Sequence, residues 1–166
     1  MNQNSRVAWF RFDLRLALGL VGWLAACFLA ASLGAVFMPG DWYAVLKKPS
    51  WNPPAWIFGP VWTTLYAMMA LAAWLVWKRG GFAARRIPLA LFLAQLVLNA
   101  AWTPLFFGLH QLGFACAEIV SLWLLIAVTL VAFRPLSRAA AWLLAPYLAW
   151  VSFAAALNFA LWRLNS

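Results

Sequence analysis

The chain has 166 residues, 67% of them hydrophobic and only 9% charged, too few ionisable groups to cover the surface of a water-soluble domain of this size. Twelve Lys and Arg against three Asp and Glu give a formal net charge of +9, but the basic residues flank apolar runs, and with no soluble domain to present them they do not point to nucleic acid. Cys27 and Cys116 each stand alone in an apolar run, an arrangement that offers neither a disulfide framework nor a metal site.

In chain order, residues 1–13 are a basic tail and 14–166 a single membrane domain. The first apolar run, Leu14 to Met38, follows Arg6, Arg11 and Arg15 as a signal peptide would, but it is longer than a usual signal core and four more runs follow, which predicts a retained helix. The segment Pro39 to Phe58 is too long for a turn and too apolar for a flexible linker. Pro49, Pro53 and Pro54 stiffen it, and its rings must fold back onto something. It is expected to be a lid over one end of the bundle. Four further runs, Ile57 to Trp77, Ile87 to Leu109, Gly113 to Phe133 and Ala139 to Leu161, each approach the roughly 20 residues a membrane-spanning helix needs. The predicted fold is all-α, a bundle of five transmembrane helices with a Pro/Trp-rich capping loop between the first two. Short later connections predict antiparallel neighbours packed side by side.

Arg6, Arg11, Arg15, Lys78, Arg79, Arg85, Arg86, Arg134 and Arg138 fall on the N-terminal side of the spans, and only Lys47, Lys48 and Arg163 on the other. The positive-inside rule therefore predicts a cytoplasmic N-terminus, with the lid and the C-terminus outside. Trp9, Trp77, Trp142 and Trp162, near span ends, read as interfacial anchors.

Polar groups inside spans need partners or a wet cavity. Helical spacing puts Trp62, Tyr66 and Met69 on one face of the second span, and Gln95, Asn99 and Trp102 on one face of the third. On the fifth, Trp150, Ala154, Leu157 and Asn158 form a stripe. Two readings stay open. Either these faces pack together with amides as interhelical glue, or converging indoles line a cavity for a flat aromatic ligand that the amides orient. Pro60, Pro104 and Pro146 are candidate kinks. Glu118, the one acid in an apolar run, is expected to reach water near a membrane surface, and His110 to be solvated. No Ser/His/Asp or Cys/His pairing, metal cluster or phosphate loop is visible, so conventional catalysis has no candidates and binding or passive transfer is the default.

Three ordered motifs carry a resemblance. WYxxLxKPxWxPPxWxxGPxWTxLY (Trp42 to Tyr66), QxxxNxxWxPxFFG (Gln95 to Gly108) and PYLAWxxFAxxLN (Pro146 to Asn158) closely resemble the translocator protein family. Its bacterial members are called tryptophan-rich sensory proteins, and its mitochondrial members peripheral benzodiazepine receptors. The likeness runs from about Leu16 to Asn165. It implies a five-helix membrane protein, a homodimer in a bilayer such as the bacterial inner membrane. Such a protein binds porphyrins, haem, sterols and synthetic benzodiazepine-site ligands beneath the first loop, with no further cofactor and no metal. Matching positions make Tyr43, Pro49, Trp51, Trp62, Asn99, Trp102, Trp150, Ala154 and Leu157 the implied ligand contacts, and Tyr66 joins them from its place on the Trp62 face. If the family's light- and oxygen-dependent porphyrin degradation applies, Trp62 and Trp150 are the implied catalytic residues, with the indole as electron donor. Ala90 and Ala94, at small-xxx-small spacing, match the family's dimer motif. Phe159 stands where the family's sterol-recognition segment has Tyr, which argues against sterol binding, and Phe114 replaces a Trp common in vertebrate members. The leading expectation is porphyrin transport, sequestration or sensing. Photodegradation is the enzymatic rival, and a ligand-dependent regulatory or sterol-transport protein the third reading.

Overall fold

The computed structural model describes residues 13–37 and 39–166; most of the basic tail and Trp9 lie outside these. Every regular element among the described residues is helical. They are α1 (Leu14–Val36), α2 (Asp41–Val45), α3 (Phe58–Trp77), α4 (Gly81–Ala84), α5 (Arg86–Thr103), α6 (Leu112–Phe133) and α7 (Arg138–Asn165). Five are long and apolar enough to cross a membrane: α1, α3, α5 with its following turn, α6 and α7.

The ends of the spans follow local chemistry. Asp13 caps α1 by accepting the Arg15 N–H at 3.1 Å, and the Ser137 hydroxyl caps α7 by accepting the Ala140 N–H at 3.3 Å. Several threonine hydroxyls within the spans are satisfied without leaving their own helix. Thr63 and Thr64 donate to the Gly59 and Pro60 carbonyls at 2.9 Å, and Thr129 donates to Leu125 at 2.7 Å. In hydrocarbon that back-bonding removes the penalty of an orphaned donor. At Pro104, which has no N–H, the third span widens into a five-residue turn through Gly108, closed by the Leu109 N–H donating to the Pro104 carbonyl at 2.8 Å. This turn carries Phe106 into the interior, where it is 2% exposed.

Around the bundle the packing order is α1, α3, α7, α6, α5 and back to α1. The fourth span packs against third and fifth as the short connections predict, but the second and third spans barely touch. That corrects the expectation of side-by-side packing across the Gly80 to Arg86 connection. The connector between them contains its own helical turn, α4, entered through Gly80 and Gly81 at φ 148° and 73°. These left-handed glycines take the chain sideways, and α1 fills the space between α3 and α5. Indole N–H groups stitch the ring of helices: Trp74 donates to the Leu16 carbonyl at 2.9 Å and Trp123 to the Ser152 hydroxyl at 2.7 Å. The core is one large cluster from all five spans plus a smaller one at the lid end, and Trp102 packs against both.

Candidate functional site: the lid and the ring layer beneath it

The lid is tied to α7 at Lys47 and braced internally between Tyr43 and Asn52. Asn165, the last residue of α7, mimics a peptide group: its Oδ1 accepts the Lys47 N–H and its Nδ2 donates to the Lys47 carbonyl, both at 2.9 Å. Within the lid, the Tyr43 hydroxyl donates to Asn52 Oδ1 at 3.2 Å, and the Asn52 N–H closes a turn onto the Pro49 carbonyl at 3.0 Å. Lys48 folds back on the loop, its Nζ donating to the Ala44 and Leu46 carbonyls and lying 4.8 Å from the Tyr43 ring centre. Burial pushes the Tyr43 phenol above its ordinary value, so it stays a neutral hydrogen-bond donor.

Rings then seat the lid on the bundle. Tyr43 lies 5.4 Å from Phe107 and 6.2 Å from Phe106, and Trp51 meets Phe153 edge-on at 5.8 Å. Trp42 stacks on His110 at 4.0 Å and 14°. His110 is solvent-exposed as expected, but its left-handed backbone, φ 56°, turns the imidazole onto the lid. Trp56 remains 74% exposed, so the lid covers with some of its rings and not with all.

Beneath it the rings continue. Trp150 lies 5.4 Å from Phe153 and 5.8 Å from Phe58. One turn deeper on α3, Trp62 lies 5.6 Å from Tyr66 and 6.3 Å from Tyr147. Trp102 stacks on Phe106 at 4.8 Å. Ala154 packs beside the large cluster, and Leu157 sits in the small one with Phe106 and Leu161. Tyr43 and Trp51 of the lid and Trp62, Trp102 and Trp150 of the three predicted faces therefore come together toward one end of the bundle, while Met69 and Gln95 lie near mid-helix.

The amides are more committed than spacing suggested. The Tyr66 hydroxyl donates to Asn99 Oδ1, Asn99 Nδ2 donates to the Tyr147 hydroxyl at 3.0 Å, and that hydroxyl donates to Gln95 Oε1 at 2.9 Å. Asn158 accepts the Trp102 indole N–H at 3.1 Å and donates to the Leu112 carbonyl at 2.9 Å. Asn99 and Asn158 thus act as interhelical glue. The buried donors left without a partner among the described residues are Gln95 Nε2, Trp150 Nε1 and Arg85 Nε. Sequence reading passed over Tyr147, Asn52 and Asn165. Tyr147 was legible, since it precedes Trp150, Ala154 and Asn158 at helical spacing; the other two bond across the fold and leave no local trace.

Glu118 corrects an expectation. Both carboxyl oxygens are shielded from solvent and neither has a hydrogen-bond partner among the described residues, because the side chain lies against the bundle and does not reach the surface. An unpaired acid there is a cost. Glu118→Leu is therefore expected to raise unfolding stability in detergent by about 1–3 kcal/mol; a lower melting temperature would show that the carboxyl has a stabilising partner.

No group of three or more His, Cys, Asp or Glu among the described residues is placed to hold a metal. The comparisons with known proteins agree with the architecture. The model of the TspO/MBR family matches residues 20–163. The human protein named translocator protein is 45% identical over 150 residues, covering 87% of this chain and 89% of its own length. The tryptophan-rich sensory protein of Cereibacter sphaeroides is 44% identical over 142 residues, covering 86% and 88%. Protein CrtK of Rhodobacter capsulatus is 42% identical over 147 residues, covering 86% and 90%. With five membrane-crossing helices, a tethered lid and a family match over nearly its whole length, this integral membrane protein belongs to the TspO/MBR family.

Proposed function

We propose that the protein binds porphyrin-type tetrapyrroles, protoporphyrin or haem, on the ring layer beneath the lid, for their transport, sequestration or sensing. The observation that carries this reading is the unbroken series Trp51, Phe153, Trp150, Phe58, with Trp62 one turn below, ending on a Trp150 N–H that is buried without an acceptor among the described residues. A flat macrocycle presents a broad face to such edge-on and tilted rings, and a desolvated donor rewards an acceptor on its edge. No further cofactor enters this reading. The amides Asn99 and Asn158 hold the helices that carry the rings, so orientation falls to Trp150.

Titration of the purified protein with protoporphyrin, followed by tryptophan quenching, is expected to saturate. Replacing Trp62 and Trp150 together by Ala is expected to weaken binding by about 5-fold to 150-fold, two ring contacts of roughly 0.5–1.5 kcal/mol each. Unchanged affinity in the double variant overturns the site. Illumination of the same complex separates a carrier from a porphyrin-degrading enzyme, since a carrier leaves the porphyrin spectrum as in a protein-free control.

The same reading makes the protein a homodimer of a bacterial inner membrane with its N-terminus in the cytoplasm. Support comes from Ala90 and Ala94, both exposed on α5, where small side chains let a second helix approach. It also comes from the segregation of Arg15, Lys78, Arg79, Arg85, Arg86, Arg134 and Arg138 at one end of the spans, and from the bacterial relatives.

A further inference from the structure

We propose that the groove between the first and second spans is a binding site for one anionic phospholipid. The groove has a volume of about 530 Å³ near Leu18 and Gly19 and continues past Gly19 and Trp77 into a second section of about 300 Å³ along Gly22, Trp23 and Ala26. It is open to the surrounding bilayer along its length, and its walls are almost wholly apolar. Gly19 is required there, because a Cβ at that position would overlap the Trp77 ring. With Gly, the six-membered ring of the indole comes up against α1 and forms one wall. At Gly22 the space is open.

Length and charge identify the occupant. Arg15 stands at the mouth and Ala26 at the far end, eleven residues along one helix, a rise of about 16 Å. That is half of a hydrocarbon core about 30 Å thick, the depth of one leaflet. A lipid chain entering at Arg15 therefore ends where its leaflet ends. The Arg15 guanidinium carbon sits 5.6 Å from the Trp77 ring centre, and Arg15 Nη2 comes within 3.5 Å of a Cβ position built at Gly81. The side chain thus reaches from α1 to the α3–α5 connector, which brings further cations. Lys78 lies 4.3 Å from the Trp74 ring centre, Arg85 leans on the Arg79 carbonyl at 3.5 Å, and Arg85 Nε is buried without a partner among the described residues. The acid next to Arg15 in the chain is Asp13, whose Oδ1 caps α1 by accepting the Arg15 N–H; Asp41 is at the opposite end and Glu118 is on α6. Cations gathered over an apolar channel one leaflet deep match a phosphate headgroup that carries a net negative charge and its acyl chain.

The full chain, purified in detergent, is titrated with dioleoyl phosphatidylglycerol or dioleoyl phosphatidylcholine, and retained lipid is counted by native mass spectrometry. A single phosphatidylglycerol per chain is expected to be held, about fivefold more tightly than phosphatidylcholine. Arg15→Gln is expected to abolish that preference. Gly22→Leu, which fills open space, is expected to weaken both lipids. Arg134→Gln, on the same face but at the α6–α7 connection away from the groove, is expected to change nothing. Equal retention of the two lipids by the wild type overturns the site, and so does an Arg134→Gln effect equal to that of Arg15→Gln, which would mean diffuse charge. Unchanged lipid retention in Gly22→Leu, with the dimer converted to monomer, would assign the groove to a second copy of the chain. If Gly22→Leu does not fold, Arg15→Gln, exposed at the rim, decides the question alone.

Discussion

Asn99→Ala is expected to destabilise the bundle by about 2–4 kcal/mol, more than other single polar substitutions in the spans. The average interhelical hydrogen bond in a membrane is worth much less, about 0.6 kcal/mol, because polar groups separated in the bilayer find other partners. Asn99 differs because it is the middle of a chain. Removing it takes the acceptor from Tyr66 and a donor from Tyr147, while Gln95 and Tyr147 are 1% and 0% exposed and have no water to turn to. Tyr66→Phe removes one link only and is expected to cost about 1 kcal/mol. Thermal unfolding of both variants and of the double variant, read as a cycle, checks this. Equal costs for the two single changes would mean that the phenols and amides do not act as a chain.

Asn165→Ala is expected to free the lid. Its two hydrogen bonds to Lys47 are exposed and worth about 1–2 kcal/mol together, so the open population should rise by about 5-fold to 30-fold. The Asn52 amide, whose Pro49 acceptor is untouched by the change, reports this by faster hydrogen exchange. If the porphyrin reading holds, protoporphyrin dissociation from Asn165→Ala accelerates by a similar factor, because the ring contacts below are untouched. Protection of the Asn52 amide at the wild-type level would show that Trp51, Tyr43 and Trp42 hold the lid without the tether.

The five spans were legible because hydrocarbon admits few solutions: a run of about 20 apolar residues must be a helix, and the observed ends fall close to those expected from composition. The lid was legible from its prolines and rings. Neighbours beyond the shortest turns were not, since α1 separates α3 from α5 and the α4 connector hides that detour in a short Gly-containing stretch. Helical spacing placed Asn99 and Trp102 on a face, but the part each plays depends on which atoms of other spans sit opposite. Asn99 meets two tyrosines and becomes a tie between helices, whereas Trp150, equally plausible as packing, keeps a buried N–H with no acceptor among the described residues. Glu118 went wrong for the same reason: distance along the helix from its end sets depth, but the direction of the side chain is set by neighbouring helices.

Composition, hydrophobic periodicity and three motifs determined by themselves that this chain is a five-span helical membrane protein with a stiff aromatic cover. Those properties depend on short-range rules, the solvent of each segment and the rotation of each residue about its own helix. Only the tertiary structure decided that Asn165 fastens the lid, that Asn99 is spent on Tyr66 and Tyr147, and that Gly19 lets Trp77 wall a lipid-facing groove. Each of these contacts joins residues far apart in the chain, and the pairing of such residues is set by how the helices pack.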